Sequence, residues 1–306
     1  MKNTLIGSLY LMMASSIWGG MYVVVKVLVA VIPPLELVWM RYLIALVALV
    51  TIGLVTRQNW RIKRRHFGMI FVIAIIGYVI SIVTQETGTM LSTAQMGAII
   101  TATTPAFMVL FASLILKERL TMKKAISVSL ATIGVITIVG INNLNMSSML
   151  GGVSLVIAAL TWALMSVLIK RIPSEYSQIV VTAYATLIAV LVLTPFVIPR
   201  LPQIELNDLT NPTIWGGLIY LGVISTSLAF LLWNRGLQML NASSGGVFFF
   251  FQPVVGTLLG WLILGETISI TFWIGSVLIL LGVLIVITDK QEEQDLSSHS
   301  LSQKTM

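Results

Sequence analysis

The sequence predicts an all-α integral membrane fold of ten transmembrane helices, built as two related five-helix halves that run in opposite directions through the bilayer. Three observations carry this prediction: apolar blocks of spanning length, a one-sided distribution of basic loops, and residues that repeat in register between the halves. Hydrophobic residues make up 57% of the 306-residue chain and charged residues 9%, with a mean hydropathy of +0.99. Soluble domains carry about 25% charged residues, so there is too little charge here to cover a water-facing surface. A helix rising 1.5 Å per residue needs about 20 apolar residues to cross a hydrocarbon core, and the blocks have that length.

Taken in order, the spans read as 5–26, 35–55, 67–85, 94–116, 122–140, 149–169, 178–198, 214–233, 243–264 and 269–288. None shows the alternating pattern of an outer-membrane barrel strand. The start, Met1-Lys2-Asn3 and an apolar run, lacks a small-residue cleavage site and continues into a span, so it is read as the first helix. The tail 289–306 is polar and reads as disordered.

Lys and Arg collect on the cytoplasmic side of membrane proteins. With the N-terminus inside, inner segments hold fifteen of the eighteen basic residues, among them Arg57, Arg61, Lys63, Arg64, Arg65 and Lys170. Arg200 lies in an outer loop, and Lys26 and Arg41 lie at the outer ends of the first two spans. Both termini are therefore expected in the cytoplasm, with the cell membrane as location. The net charge of +7 is accounted for by these loops and implies no nucleic acid.

A shift of 144 carries Gly7, Leu11, Trp18 and Lys26 onto Gly151, Leu155, Trp162 and Lys170. A shift of 148 carries Gly88, Gly97, Pro105 and Glu118 onto Gly236, Gly245, Pro253 and Glu266. Five spans is an odd number, so the second half is inverted. The expected domains are 1–146, 147–288 and the tail 289–306. Inverted repeats typify secondary transporters, whose solute site lies near the midplane between the repeats.

Pro105 and Pro253 sit mid-span, where proline removes a backbone donor and disturbs the preceding turn. The carbonyls freed near Thr101 and Phe249 need polar partners in lipid, and Thr101, Thr103, Thr104 and Gln252 are close in sequence. This predicts kinked helices lining a midplane cavity; a satisfied kink with a packing role is the alternative. Trp18, Tyr22 and Lys26 share one helix face, as do Trp162, Ser166 and Lys170. They read either as cavity wall or as helix packing. Tyr78 and Thr226 are further lining candidates, and one or two rings of Phe248–Phe251 have room to face a cavity. Charges within spans cost roughly 2.5–3.5 kcal/mol on insertion scales and usually face protein or water. Lys26, Arg41 and Glu86 are read as gating or charge-pairing residues, with snorkelling as the alternative for Lys26 and Glu36.

Several chemistries are excluded. The chain has no cysteine, and His66 and His299 lie outside the apolar blocks, so no intramembrane metal site is expected. No Gly-Lys pair, HExxH or GxSxG occurs, and no Asp lies in a span. Neither a catalytic residue nor a cofactor is expected. The expected partners are a small solute and lipid, with the protein a monomer or homodimer. A membrane sensor or scaffold without transport is the competing reading.

The residues Trp18-Gly19-Gly20, Arg41, the small-residue-plus-proline fourth span ending Leu116-Lys117-Glu118, Gln252-Pro253 and Leu264-Gly265-Glu266 resemble the ten-span, EamA-like branch of the drug/metabolite transporter superfamily. The resemblance covers about residues 5–288. It implies a membrane carrier, often an exporter of amino acids or other metabolites. The second half departs from the pattern at Trp162-Ala163-Leu164, which lacks the paired glycines.

Overall fold

A computed structural model describes residues 2–118, 121–139, 146–203, 211–240 and 245–265, with scattered positions from 270 to 285. The expected tail 289–306, most of the expected tenth span, Arg119 and Glu266 lie outside the described residues.

All regular structure among the described residues is helical. Helix α1 spans Lys2–Leu28 and α2 spans Pro34–Val55, with Pro34 in its first turn, where the missing N–H costs nothing. Helix α3, Arg64–Ile73, runs through a π-helical segment, Ala74–Ile80, into α4, Ser81–Leu91. Helix α5, Ala94–Thr101, begins where the Thr93 hydroxyl accepts the Met96 N–H, and α6, Thr104–Leu116, ends on Lys117 in the left-handed region at φ 56°. Helices α7, Met122–Val139, α8, Met146–Ile169, and α9, Gln178–Val197, follow. Helix α10, Pro212–Ile219, leads through a second π-helical segment, Tyr220–Leu228, into α11, Ala229–Met239. A 3₁₀ turn, Val247–Phe250, opens α12, Phe251–Leu264, which stops at Gly265 with φ 67°.

Seven helical stretches among the described residues, including Arg64–Leu91, Ala94–Leu116 and Pro212–Met239 taken across their interruptions, are long and apolar enough to cross a membrane, and Phe248–Ile263 is a shorter apolar helix. The outside of the molecule is apolar: Leu5, Val47, Leu54, Leu114, Leu191, Phe196 and Leu262 are exposed. Polar groups such as Arg41, Glu86, Ser225, Thr226 and Asn234 are buried. That is the reverse of a water-soluble surface and fits a lipid solvent, in which polar groups must be satisfied inside the protein.

Small residues set the helix crossings, as expected where lipid supplies no hydrophobic drive between helices. A Cβ on Gly88 would lie 2.8 Å from the Gly151 carbonyl oxygen, and one on Gly236 would lie 3.0 Å from the Gly7 carbonyl oxygen. The first contact joins the end of α4 to the start of α8, and the second joins the end of α11 to the start of α1. Each contact therefore joins one half of the sequence to the other, and the shifts that align the halves carry one contact onto the other. Gly19 meets the backbone of α12, where a Cβ would fall 2.7 Å from the Gln252 carbonyl. The Gly19-Gly20 pair thus brings α1 and α12 together.

Candidate functional site

The fourth span is broken where the sequence predicts: α5 ends at Thr101 and α6 starts one residue before Pro105. The Thr104 hydroxyl donates to the Thr101 carbonyl at 2.6 Å, which satisfies an acceptor at the break. In the second half, the 3₁₀ turn Val247–Phe250 precedes Pro253. These breaks bring Thr101, Thr104, Phe249 and Gln252 to the wall of an interior cavity.

The cavity is small, about 20 Å³, which is room for about one water molecule. Its apolar wall is Trp18, Met21, Ile82, Ala158, Ala159, Trp162, Phe230 and Phe249, and its polar wall is Gln85, Thr101, Thr104 and Gln252. Among the described residues, no charged side chain lines it. Two unpaired groups stand among the described residues here, the Trp162 indole N–H and the Gln252 side-chain oxygen. One is a donor and the other an acceptor. A solute placed between them would satisfy both, and leaving each unpaired costs about 1–3 kcal/mol.

Trp18 is the centre of an aromatic cluster. Its ring lies 5.2 Å from Trp162, 5.8 Å from Phe230, 5.3 Å from Trp233 and 5.6 Å from Phe249. Its indole N–H donates to the Ser225 carbonyl at 2.9 Å. Ser225 belongs to the second π-helical segment, whose wider hydrogen-bond spacing is a common feature of functional helices.

The remaining expected residues fall behind this wall. Tyr22 bonds Thr101 at 2.7 Å between hydroxyls, and Ser166 accepts the Trp233 indole N–H at 3.1 Å. Tyr78 packs its ring 5.1 Å from Phe230, and its backbone carbonyl accepts the Tyr42 hydroxyl. Thr226 accepts from the Arg41 Nε at 3.0 Å. Pro105 and Pro253 shape the breaks without lining the cavity.

Arg41 and Glu86 meet at 2.6 Å with both side chains fully buried. Arg41 also donates to the Ser225 hydroxyl at 3.2 Å and approaches the Met21 sulfur at 3.6 Å, so the ion pair sits one side chain behind the cavity. Lys26 is elsewhere: its ammonium holds the carbonyls of Thr89, Met90 and Ser92 at the end of α4. Lys170 likewise holds the carbonyls of Leu237 and Leu240 at the end of α11. Both lysines thereby satisfy orphan carbonyls of a helix C-terminus. Burial pushes the Lys170 ammonium below the usual lysine value, and the Glu118 carboxylate works against that shift. Glu36 does not snorkel, because its side chain is 1% exposed inside the protein.

Sequence reasoning missed Met21, Ile82, Ala158, Ala159 and Phe230 as lining residues. They are ordinary apolar residues in an apolar chain and carry no sequence signal. Near the Lys170 end of the molecule a cleft of about 630 Å³ opens between Tyr10, Gln178, Leu231, Arg235 and Gln238. Trp233 lies with its ring 4.5 Å from Phe249 of the cavity wall.

Comparison with known proteins agrees with this architecture. A solved crystal structure superposes with a TM-score of 0.73 at 20% identity, covering 93% of this chain and 96% of the other. An uncharacterized transporter of Archaeoglobus fulgidus is 25% identical over 88% of this chain and 94% of its own. YoaV, an uncharacterized transporter of Bacillus subtilis, is 26% identical over 88% and 92%. The permease-like protein YdzE of Bacillus subtilis is 72% identical over 24% of this chain and 96% of its own length. The model of the EamA-like transporter family matches twice, over residues 5–140 and 149–288. With multiple apolar helices and this double match, the chain belongs to the EamA-like transporter family, and it is a multi-pass membrane transporter.

Proposed function

We propose that this protein is a secondary carrier that moves a small amphipathic metabolite, an amino acid or related solute, by alternating access between two inverted five-helix repeats. The repeats are residues 1–146 and 147–288, with ten spans in all and both termini in the cytoplasm of a cell-membrane protein. Outward movement is the direction that the resemblance implies. The chamber is bounded by Trp18, Trp162, Thr101, Thr104 and Gln252, with Tyr22, Tyr78, Ser166 and Thr226 supporting the wall, and Pro105 and Pro253 setting the helix breaks.

The observation that carries the reading is the closed chamber between two like locks. A cavity of about 20 Å³ holds no metabolite, so solute binding requires the helices to part. Lys26 fastens α4 at the end where Gly88 meets Gly151, and Lys170 fastens α11 at the end where Gly236 meets Gly7. Releasing one lock at a time opens one side at a time. The aromatic wall and the uncharged polar groups suit a flat or apolar solute with amide-like or zwitterionic hydrogen bonding. They do not suit a polyanion, which would need several cationic partners.

The test is reconstitution in liposomes loaded with a cell metabolite extract, followed by profiling of the external medium. Protein-dependent release of a small amphipathic solute, lost in Gln252→Leu and Trp18→Ala, supports the reading. Liposomes that release nothing in either orientation would overturn it.

A further inference from the structure

The buried ion pair holds a charge that packing alone does not require. Shifted by 148, Glu86 falls on Asn234, which occupies the same place on α11 that Glu86 occupies on α4. Asn234 is 1% exposed and donates to the Thr182 hydroxyl of α9 at 3.1 Å. A neutral hydrogen bond therefore suffices to join these helices in the second half. In the first half the same job is done by two fully buried charges, whose desolvation is costly.

The pair is also incompletely satisfied. Glu86 engages Arg41 through one oxygen, and its Oε2 has no partner among the described residues. A bidentate pair would use both oxygens. A buried, unpaired carboxylate oxygen is an open acceptor, and the smallest group able to fill it is a proton.

Arg41 links this carboxylate to the other half. Its Nε and Nη2 reach Thr226 and Ser225 in the second π-helical segment, while Nη1 holds Glu86. Ser225 is shared: its hydroxyl accepts from Arg41 and its carbonyl accepts from the Trp18 indole. A continuous chain of contacts thus runs from Glu86 through Arg41 and Ser225 to the ring at the centre of the cavity wall. The charged and titratable groups around Glu86 are Tyr22 and, near the end of α4, Lys26 from α1, and Arg41 and Tyr42 from α2. On α4 itself its neighbours Gln85 and Thr89 are neutral.

We propose that Glu86 is a proton-binding site, and that its occupancy decides whether the Arg41 guanidinium, bonded to Ser225 and Thr226 of the second half beside the chamber, is also held by an anion of the first half. The proton adds to the Glu86 carboxylate to give a neutral carboxyl group, and nothing else is made or broken except the ionic half of the Arg41 contact. Arg41 then keeps its two hydroxyl partners and loses its anion. The inference rests on the carrier reading for its purpose, the coupling of solute movement to protons, but the site itself is tested without solute.

The experiment is infrared difference spectroscopy of the full-length protein in phosphatidylcholine–phosphatidylglycerol nanodiscs, between neutral and acidic buffer. The wild-type protein is expected to give a protonated-carboxyl C=O band that moves in D2O. Glu36, also buried with an unpaired oxygen, is the control. Glu36→Gln should keep the band, Glu86→Gln should lose it, and Glu86→Asp, which retains a carboxyl if the amide variant fails to fold, should displace it. Tryptophan emission should change over the same pH interval in wild type and stay flat in Glu86→Gln. A band absent from wild type, kept by Glu86→Gln, unmoved in Glu86→Asp or lost in Glu36→Gln overturns the site. An emission change that does not track the band overturns the link to Arg41 and Trp18. A protein that shows the Glu86 band but moves no solute loses the carrier reading and keeps the site. One that moves solute without the band does the reverse.

Discussion

The Lys26 and Lys170 ammonium groups hold equivalent carbonyls in the two halves of the chain: Thr89 and Ser92 for Lys26, Leu237 and Leu240 for Lys170. The lysines differ by 144 in number and the carbonyls by 148, the same shifts that align the two halves. The two lysine contacts lie toward opposite ends of α1, since one adjoins the Gly88–Gly151 contact and the other adjoins the Gly236–Gly7 contact.

Removing one lock should open one end only. Hydrogen bonds to charged groups contribute roughly 1.5–3 kcal/mol, and about 1.4 kcal/mol is a factor of ten in an equilibrium. The chain has no cysteine, so Thr104→Cys is a single reporter at the cavity wall. Lys26→Met should raise its labelling by a membrane-impermeant thiol reagent about tenfold from the Lys26 side, and Lys170→Met from the other. Equal labelling from both sides in both variants would count against the locks.

Trp18 combines a ring contact with a hydrogen bond, and the two are separable. Trp18→Ala should lower stability by about 3–5 kcal/mol, the usual result for a large buried aromatic residue. Trp18→Phe keeps a ring but leaves the Ser225 carbonyl without its indole donor. It should cost about 1–3 kcal/mol. Thermal unfolding in detergent reads both, and equal losses would refute the separate hydrogen-bond contribution.

Gly19 and Gly20 should differ although they are neighbours. A Cβ on Gly19 strikes the backbone of α12, 2.7 Å from the Gln252 carbonyl, whereas one on Gly20 meets the Tyr220 hydroxyl at 3.2 Å and the Leu259 side chain at 3.1 Å. Backbone yields less readily than a side-chain tip. Gly19→Ala should destabilise by roughly 1–3 kcal/mol and impair solute movement, with Gly20→Ala milder on both measures.

Outside the membrane-spanning segments, Lys63 bonds Glu175 at 3.1 Å and holds its carboxyl below the usual value of 4.5. The folded value lies below the unfolded one, so the stabilisation is present above pH 4.5 and is lost as pH falls through the folded value. Both side chains are about half exposed, so the effect is weak and salt-screened. Glu175→Gln should differ slightly from wild type at neutral pH and low salt, and match it in acid. Thermal unfolding midpoints across pH check this.

The helices were legible because their signals are local. Apolar length marks the spans, and the break before Pro105 follows from proline's missing N–H. Thr104 as the satisfier of a freed carbonyl follows from its position one residue before the proline. Trp18, Trp162 and Gln252 stand out because such residues are costly in lipid without a partner. Phe230, Ile82 and Ala158 do not stand out, because an apolar residue costs nothing whether it faces lipid, a neighbour or a cavity. Lys26, Arg41 and Glu86 were legible as a group of unusual charges, but their division into a carbonyl lock and an ion pair was not.

By itself, then, the sequence determined that lipid is the solvent, that the chain is written twice, and where two of its helices break. Composition, periodicity and proline chemistry act on each segment without reference to its neighbours. Only the tertiary structure decided which polar groups meet. Arg41 lies 45 residues from Glu86 and 184 from Ser225, and that distance is closed by glycine crossings and π-helical turns spread over several helices. The size of the chamber was decided there too, because it depends on how aromatic rings from both halves fill one space.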